Sequence, residues 1–375
     1  MKKLSNPFVT YGYKGSAYFC DRQAETKKVM DGLENERNIT LIAPRRIGKT
    51  GLIHHVFAQI REQQPDVKCF YIDIFATKNL TQLVNLLAYH IIGKLDSPTH
   101  AALRKVSEFF ASFRPTMTFD AQTGMPTFSL DFADNQQEQT LQRIFEYLQR
   151  SGKRCYIALD EFQQIAEYPE GNAEAILRSY IQFLPNVYFI FAGSQQHMMT
   201  DMFLSAKRPF YQSSQIVMLG EIDVKTYYRF AAAFFKEIGV DLPMKVFNNL
   251  YEELDGQTWY LQATLNRIYA NRPDTVTQED IDDAITELVG EQETAFENYL
   301  TSLTNNQSDL ITAIAKEQKV ASPTASSFLK KYRLKAASSV KTALTALTER
   351  QLIYRYRGNY IIYDRFFAIW LKNIK

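Results

Sequence analysis

The sequence predicts an α/β domain built on a parallel sheet, followed by an all-α helical segment and a winged-helix domain. Three observations predict this fold class: an apolar strand that breaks into a loop containing Gly and Lys, two further apolar strands that end in acidic or polar residues, and a C-terminal pattern of three helices and a hairpin. The expected domain boundaries are residues 1–220, 221–300 and 301–375. A chain of 375 residues is long enough for two or three such domains.

The loop after the first apolar strand, residues 39–42, has the spacing of a phosphate-binding loop, G-x-x-x-x-G-K-[ST]. In such a loop, backbone N–H groups and the N-terminus of the next helix surround a polyphosphate. Lys49 is the candidate for neutralising the β and γ phosphates, and the Thr50 hydroxyl is a candidate Mg²⁺ ligand. Ala43 replaces the first Gly, which the loop tolerates if that residue keeps φ below zero. The candidate phosphate-binding residues are Ala43, Pro44, Arg45, Arg46, Ile47, Gly48, Lys49, Thr50 and Gly51.

A second apolar strand, residues 154–159, ends in Asp160 and Glu161. Its continuous apolar character is typical of a parallel strand that is buried on both faces. Beside a phosphate loop, Asp160 is the candidate for holding Mg²⁺, and Glu161 is the candidate for polarising the attacking water. The alternative is that these carboxylates only cap a helix that starts at Phe162.

A third apolar strand, residues 187–192, ends in Gly193-Ser194-Gln195. Ligands bind at the carboxyl edge of an open parallel sheet, so all three strand ends are expected to contribute to one site. Ser194 or Gln195 is a candidate for contacting the γ phosphate or the attacking water. For either residue alone, an ordinary turn at a strand end is an equally good explanation.

The remaining part of the α/β domain contains helices, one more strand and a hairpin. A helix that starts at the motif Phe19-x-Asp21-Arg22-x-x-Glu25 is predicted to run to about Glu36. A strand is predicted at residues 68–73, helices at 80–95 and 139–150, and a hairpin insertion at about 114–132 with its turn at residues 122–124. Phe8, Tyr11 and Phe19 are candidates for stacking on an adenine base, although core packing is the better explanation for any one of them.

The segment from 221 to 290 has an all-helical pattern and resembles a lid on a nucleotide-binding core. Arg267 on one of these helices is a candidate for contacting a γ phosphate; the alternative is an exposed helix arginine. The segment 221–300 holds 6 Lys and Arg against 16 Asp and Glu, whereas residues 301–375 hold 13 against 4. This asymmetry is hidden by the net charge of +2, and it indicates either attraction between the two segments or acidic shielding of a basic one.

The C-terminal segment is predicted to be a winged helix. Helices are expected near residues 309–315, 322–332 and 336–350, followed by a hairpin that turns at Gly358-Asn359. The third helix exposes residues at the position where a recognition helix meets base edges, and basic side chains surround it. A surface that packs on a protein is an equally supported alternative. The candidate contacts are Ser338, Ser339, Lys341, Thr342, Lys330, Lys331, Arg333, Lys335, Arg355 and Arg357.

Composition and targeting signals favour a cytoplasmic protein. The three cysteines, Cys20, Cys69 and Cys155, have no paired spacing and are expected to be reduced thiols. The N-terminus has no apolar signal region, and no run is long enough to span a bilayer, so no membrane partner is expected.

The combination of these motifs resembles prokaryotic AAA+-related ATPases of the STAND class, in the archaeal-type, MNS-like branch. The motifs that carry the resemblance cover essentially the whole chain. They are the phosphate loop, Leu159-Asp160-Glu161-Phe162, Gly193-Ser194-Gln195, Arg208-Pro209-Phe210-Tyr211, the lid motif from Gly256 to Gln262, and the ending Tyr360-x-x-x-Asp364-x-Phe366-x-x-x-Trp370-Leu371.

The resemblance implies a P-loop NTPase core with a helical lid and a winged helix, controlled by ATP and ADP. It also implies that Lys49 and Thr50 bind phosphate and Mg²⁺, that Asp160 binds Mg²⁺, that Glu161 activates water and that Ser194 is the sensor. Arg208 is implied to face phosphate across a domain or subunit boundary, which would require a homo-oligomer in the second case. Ala43 departs from the family pattern, and so does Thr258, which stands where the lid motif usually has Pro.

The function expected from these residues is an ATP-binding, slowly hydrolysing ATPase that acts as a nucleotide-controlled switch. Its winged helix would contact either a protein or double-stranded DNA. The alternative is an ATP-regulated DNA-binding initiator or regulator, for which nucleotide licenses the DNA-bound form. A small-molecule kinase is disfavoured because no segment resembles an acceptor site.

Overall fold

The structure, a computed structural model, describes residues 4–92, 94–95, 100–119, 126–131 and 136–374. Contacts within the chain divide it into two units. The core unit contains residues 11–222, and the helical unit contains the residues up to Thr10 together with those from Asp223 onwards. The chain therefore passes from the core unit into the helical unit directly after Ile222.

The core unit alternates strands and helices. Its strands are β1 (Ile39–Ile42), β2 (Lys68–Asp73), β3 (Pro115–Phe119), β4 (Pro126–Leu130), β5 (Cys155–Asp160), β6 (Val187–Gly193) and β7 (Gln215–Met218). Its α-helices are α1 (Gln23–Glu34), α2 (Lys49–Gln63), α3 (Leu80–Ile91), α4 (His100–Phe109), α5 (Gln137–Arg150), α6 (Ala173–Ile181) and α7 (Gln196–Leu204). Short 3₁₀ helices lie at Ser16–Tyr18, Ala111–Phe113 and Phe162–Glu167.

Five strands form one parallel sheet in the order β2-β5-β6-β1-β7. This confirms the predicted α/β class. In the pairing register, Ile42 at the end of β1 lies opposite Gly193 on one side and Met218 on the other. Asp73 at the end of β2 lies opposite Asp160 at the end of β5. The carboxyl ends of all five strands therefore meet at one edge, where ligands of open parallel sheets bind.

Both faces of this sheet are covered by helices. On one face, β1 side chains pack with those of α1 and α2, including Leu33, Leu52 and Val56. On the other face, α3, α5, α6 and α7 cover β5 and β6 with a larger apolar cluster. Double-sided burial explains why these central strands are continuous apolar runs in the sequence.

The predicted hairpin insertion is present as an antiparallel pair of β3 and β4, with Pro115 opposite Leu130. The predicted turn at residues 122–124 and the last predicted residue, 132, lie outside the described residues.

The helical unit begins its helices directly after the chain leaves the core unit. They are α8 (Val224–Glu237), α9 (Met244–Glu253), α10 (Thr258–Asn271), α11 (Gln278–Gly290) and α12 (Glu293–Thr301). Phe8 is 1% exposed and lies in this unit, with its ring centroid 5.4 Å from Phe235 and 5.6 Å from Tyr269. Phe8 is therefore a core residue, so the adenine role considered for it is wrong and the core alternative is confirmed.

The predicted winged helix is also present in the helical unit. Its elements are α13 (Asn305–Glu317), α14 (Ser326–Lys331), α15 (Ala337–Glu349), β8 (Ile353–Tyr356), β9 (Asn359–Ile362) and α16 (Arg365–Asn373). The predicted turn at Gly358-Asn359 is wrong by one residue. Tyr356 pairs with Asn359, so Arg357 and Gly358 form the loop, with φ of 48° and 84°. Two positive φ values are required by the two-residue turn that matches strand twist, and Arg357 is thereby placed at the hairpin tip.

Among the described residues, no helix combines the length and the apolar character that crossing a membrane requires.

Candidate active site

The predicted phosphate loop joins β1 to α2 at the carboxyl edge of the sheet. Arg46 and Gly48 have φ of 65° and 96°, and α2 begins immediately afterwards at Lys49. A φ near 96° is strained for any residue with a Cβ, which explains the glycine at this position. Ala43 is buried with negative φ, and its N–H donates to Gly193 O at 3.4 Å. Alanine can therefore replace the first glycine of the motif here.

Lys49 and Thr50 lie against the acidic end of β5. The Lys49 side chain is 6% exposed; its ammonium donates to Asp160 and, at 2.9 Å, to Glu161 Oε1. Thr50 Oγ1 donates to Asp160 Oδ2 at 2.7 Å. The hydroxyl and the carboxylate are both hard oxygen ligands of the kind Mg²⁺ prefers. Thus the sheet order brings together two residues of the loop and two carboxylates that lie about 110 residues away in sequence.

Glu161 is held at both of its oxygens. Ser194 Oγ donates to Glu161 Oε2 at 2.8 Å, and Gln163 Nε2 donates to the same oxygen at 2.6 Å. Burial by itself would raise the pKa of Glu161, but the Lys49 charge and the hydrogen bonds from Gln163, Lys49 and Ser194 outweigh burial and hold this pKa below its usual value. Glu161 is therefore a carboxylate at neutral pH, as a general base must be.

Two residues that the sequence reasoning missed complete this cluster. Tyr71 on β2 donates its hydroxyl to Asp160 Oδ2 at 2.9 Å, and burial, followed by the Asp160 charge, raises the pKa of Tyr71. Gln163 is 2% exposed and lies in the 3₁₀ helix that follows β5. The signal for Tyr71 is its place two residues before the end of an expected strand, but the sequence does not say that β2 lies beside β5.

Other predicted residues lie around the loop and at the start of α7. Arg45 Nε lies 3.5 Å from Ser194 Oγ, whereas Arg46 is exposed at the loop surface. Gln195 is the N-cap residue of α7. A Cβ at Gly51 would lie 3.3 Å from the Phe19 ring, which also stacks on His55 with centroids 4.3 Å apart.

Two predicted arginines form ion pairs away from the carboxylate cluster. Arg208 donates to Glu174, and its Nε lies 3.4 Å from Asp201 Oδ2, so this arginine joins α6 and α7. Arg267 pairs with Glu291 at 2.6 Å within the helical unit. The observed partners give both arginines a structural role, and their contact with phosphate stays a prediction. Tyr11, an adenine candidate, is 77% exposed.

The three cysteines of the chain are unpaired thiols, and burial raises the pKa of Cys20 to about 12.

Known proteins resemble this chain over most of its length. Residues 19–264 match the family described as an ATPase domain predominantly from Archaea, and residues 294–373 match a probable winged helix domain. An uncharacterized ATP-binding protein of Methanocaldococcus jannaschii is 25% identical over 236 residues, which are 58% of each chain. The chain thus spans less than two thirds of that relative's length.

Solved structures share the fold at low sequence identity. A Walker-type ATPase of Pyrococcus abyssi matches with a TM-score of 0.65 and 19% identity, covering 98% of this chain and 99% of that one. The ORC2 protein of Aeropyrum pernix, in ADPNP and ADP complexes, matches with a TM-score of 0.54 and 13% identity over 93% and 91%. The ORC1 protein of the same organism, in complex with DNA, matches with a TM-score of 0.53 and 12% identity. This match covers 94% of this chain and 92% of that one. These likenesses show a common fold. Because the family match over residues 19–264 covers more than half of the sequence, the chain belongs to the family of ATPase domains found predominantly in Archaea.

Proposed function

We propose that the protein binds ATP with Mg²⁺, hydrolyses it slowly and acts as a nucleotide-controlled switch. The observation that supports this most directly is the hydrogen-bonded cluster in which Lys49 and Thr50 of the loop meet Asp160 and Glu161. Ser194 joins the cluster through Glu161. A loop for phosphate, oxygen ligands for a cation and an ionised carboxylate are the groups that ATP hydrolysis requires.

Each residue of the cluster has a chemical role in this proposal. Lys49 exchanges its carboxylate partners for the β and γ phosphate oxygens, which compete for the same ammonium donors. Thr50 and Asp160 would hold Mg²⁺, which neutralises charge on the phosphates. Glu161 accepts a proton from the attacking water at its carboxylate, and Ser194 and Gln163 orient that carboxylate through Oε2.

The finer features of the proposal follow from the resemblance described above. We place the protein in the STAND class, MNS-like branch, in the cytoplasm. Its proposed domains are 1–220, 221–300 and 301–375, and residues 4–10 of the first segment pack within the helical unit. ATP and ADP would bias the helical unit between two arrangements, because only ATP offers γ-phosphate contacts. Arg208 would act on phosphate across a subunit boundary only in a homo-oligomer, where it must first leave Glu174.

The first test is phosphate release from Mg-ATP by the wild type, Lys49→Ala and Glu161→Gln. We expect slow release by the wild type, none above background by either variant, and retained ATP binding by Glu161→Gln. Glu167→Gln, a change of the same type on the following 3₁₀ helix, is the matched control and should keep wild-type activity. Binding without hydrolysis in the wild type would make the protein a nucleotide-gated scaffold, and no binding would refute the proposal.

A second candidate function, ATP-regulated DNA binding, is favoured by the basic surface of the winged helix. Arg355 and Arg357 are exposed on the β8–β9 hairpin, and Arg357 lies at its tip. Basic residues, among them Arg333, precede the third helix of the winged helix, although Lys331 also pairs with Glu317. The positive charge beside the third helix and on the β8–β9 hairpin suits contact with the phosphate backbone of a DNA duplex. A protein partner is the alternative occupant of the same surface.

Duplex binding would be measured at several salt concentrations with and without Mg-ATP. DNA binding predicts affinity that falls steeply with salt and is lost in the double variant Arg355→Glu/Arg357→Glu. The double variant Lys245→Glu/Arg272→Glu, which changes two exposed basic residues of the helical unit, controls for net charge. No binding by the wild type at low salt would exclude this function.

A further inference from the structure

Arg22, from the motif at the start of α1, is a buried arginine that bonds two separate backbone segments of the core unit. Its side chain is 4% exposed, and NH1 pairs with Glu25 Oε1 at 3.0 Å. NH2 donates to Ile47 O at 3.1 Å and to Gly220 O at 2.7 Å. One nitrogen therefore joins the phosphate loop to the segment that follows β7.

The hydrogen bond from Arg22 to Ile47 O restrains the Ile47–Gly48 peptide, which belongs to the phosphate-binding loop. In a trans peptide the carbonyl and the following N–H point in opposite directions, so holding Ile47 O fixes the direction of the Gly48 N–H. Successive backbone N–H groups in a loop of this type form the concave surface that binds phosphate. Arg22 thus constrains, from outside the loop, the orientation of a phosphate-binding donor.

The contact with Gly220 lies at the exit from the core unit. β7 runs parallel to β1, and the Leu219 N–H donates to Ile42 O, so the ends of the two strands are neighbours. Residue 222 is the last of the core unit, and Asp223 caps the first helix of the helical unit. Because one NH2 group donates to both carbonyls, a shift of the Ile47–Gly48 peptide would also change the bond to Gly220.

We infer that Arg22 is a positioning residue: it sets the Ile47–Gly48 peptide for phosphate binding and transmits its movement to residues 219–222. This rests on the proposed function, because the movement it transmits is the one that nucleotide causes. The planar guanidinium suits this task, since one NH₂ group can donate to two acceptors at a fixed angle. A lysine at this position keeps the charge but cannot reproduce that geometry.

The chain supplies a matched control for the loss of such a contact. Arg154 NH2 donates to Leu33 O at 2.9 Å and to Glu34 O at 2.8 Å. It thus bonds two carbonyls at the other end of α1, beside the start of β5 and away from the phosphate loop. Each of the substitutions Arg22→Lys and Arg154→Lys removes a guanidinium that donates to two backbone carbonyls. Arg22 lies at the start of α1 and Arg154 contacts its end, and only Arg22 bonds the phosphate loop.

The experiment is hydrogen exchange of the full chain with and without Mg-ADP, together with the Kd for Mg-ADP. In the wild type and in Arg154→Lys, we expect nucleotide to slow exchange both at residues 46–51 and at residues 219–223. In Arg22→Lys, we expect the Kd to rise about tenfold, as for loss of a hydrogen bond to a charged group. At saturating Mg-ADP, the response at 219–223 should be absent while that at 46–51 persists.

Three outcomes would overturn the inference. If Mg-ADP slows exchange in the wild type at residues 46–51 but not at 219–223, movement is not transmitted between these segments, and the proposed function still stands. An equal response at 219–223 in Arg22→Lys refutes the role of Arg22. Wild type with no protection at either segment refutes the proposed function and the inference together. If Arg22→Lys does not fold, as judged by its thermal transition, Arg22→Gln is measured by the same criteria.

Discussion

Gln163, which no motif in the sequence singles out, contacts the carboxylate of Glu161. Its amide donates to Glu161 Oε2 at 2.6 Å, while its own Oε1 is buried without a hydrogen-bond partner among the described residues. A buried unsatisfied acceptor is costly, so the side chain is held in this position by its surroundings rather than by its oxygen. The Gln163 amide therefore stabilises the ionised form of Glu161 and orients its carboxylate through the same hydrogen bond.

We predict that Gln163→Met moves the acid limb of the pH–rate profile to higher pH. The pKa of Glu161 is lowered in the folded protein, so activity persists down to a pH below the usual glutamic-acid range and is lost as Glu161 protonates. Removing a donor weakens that lowering, and the loss then begins at higher pH. The maximal rate should also fall about tenfold because the base is less well oriented.

The profile is measured as kcat/KM against pH, with Gln164→Met as the control. Gln164 is adjacent and only weakly bonded to Glu167, at 3.5 Å. An acid limb that stays at the wild-type pH in Gln163→Met would show that Gln163 only fills space.

At the scale of elements, the close approach of β6 to the 3₁₀ helix after β5 explains the glycine at the end of β6. A Cβ at Gly193 would lie 2.4 Å from Gln163 Oε1 and 2.5 Å from Met199 Cγ. A side chain here would force the Gln163 amide and the Met199 side chain to move. Gly193 is therefore required by packing around the carboxylate cluster, and its φ is not positive.

We predict that Gly193→Ala destabilises the protein by about 1–3 kcal/mol, the usual cost of overpacking, and lowers activity more than nucleotide affinity. Gly290→Ala is the control, for which we expect the free energy of unfolding to change in the opposite direction. Gly290 is the last residue of α11, and a Cβ added there would extend into open space, with no neighbour within 4 Å. The control should stabilise by about 0.4–1 kcal/mol through the unfolded state. Denaturant unfolding measures both, and equal stability of Gly193→Ala and wild type would contradict the packing argument.

The elements that could be predicted from the sequence are those with a strong local pattern. β1, β5 and β6 are mainly apolar because both faces of the sheet are covered, and the phosphate loop has a fixed spacing. β7 was not predicted because it is a short edge strand of four residues, with Gln215 and Ile216 half-buried and Met218 exposed. The sequence pattern places the turn of the β8–β9 hairpin one residue late because both Gly358 and Asn359 are favourable turn residues.

The side chains around Asp160 and Glu161 were harder to predict than the carboxylates themselves. Tyr71 and Gln163 are defined by the neighbours of β5, and sheet order is a property of the whole chain rather than of a local pattern. Arg208 shows the converse, because a motif predicts its importance while its observed partners, Glu174 and Asp201, come from helices that the motif does not mention.

On the scale of the whole molecule, the acidic helical segment and the basic winged helix belong to one unit. Lys319 pairs with Asp255, and the Lys372 ammonium lies 4.0 Å from Glu253. Opposite charges thus meet within the helical unit, which favours attraction over shielding as the meaning of the charge asymmetry. Such exposed pairs contribute little, about 0–1 kcal/mol each, so apolar packing must supply most of the association.

That packing is centred on Phe366 at the start of α16. Phe366 is 0% exposed, and its ring centroid lies 4.8 Å from Tyr260 and 6.0 Å from Trp259, both on α10. Arg365 adds a hydrogen bond to Glu253 O at 3.2 Å. α16 is the last helix of the winged helix, and α10 belongs to the helical segment. We therefore expect the winged helix and the helical segment to unfold together and to move as one body.

We predict that Phe366→Ala destabilises the helical unit as a whole by about 3–5 kcal/mol, the range for truncating a buried aromatic residue. In calorimetry, the transition of the helical unit should fall by roughly 10 °C while that of the core unit stays in place. Gly193→Ala, which acts on the core unit, identifies the other transition. Tyr299→Ala is the aromatic control, since Tyr299 is 46% exposed and contacts Phe367 only at its edge. If Phe366→Ala instead releases a separate winged-helix transition and leaves that of α8–α11 unchanged, the two parts are independent, and a switch would have to move them separately.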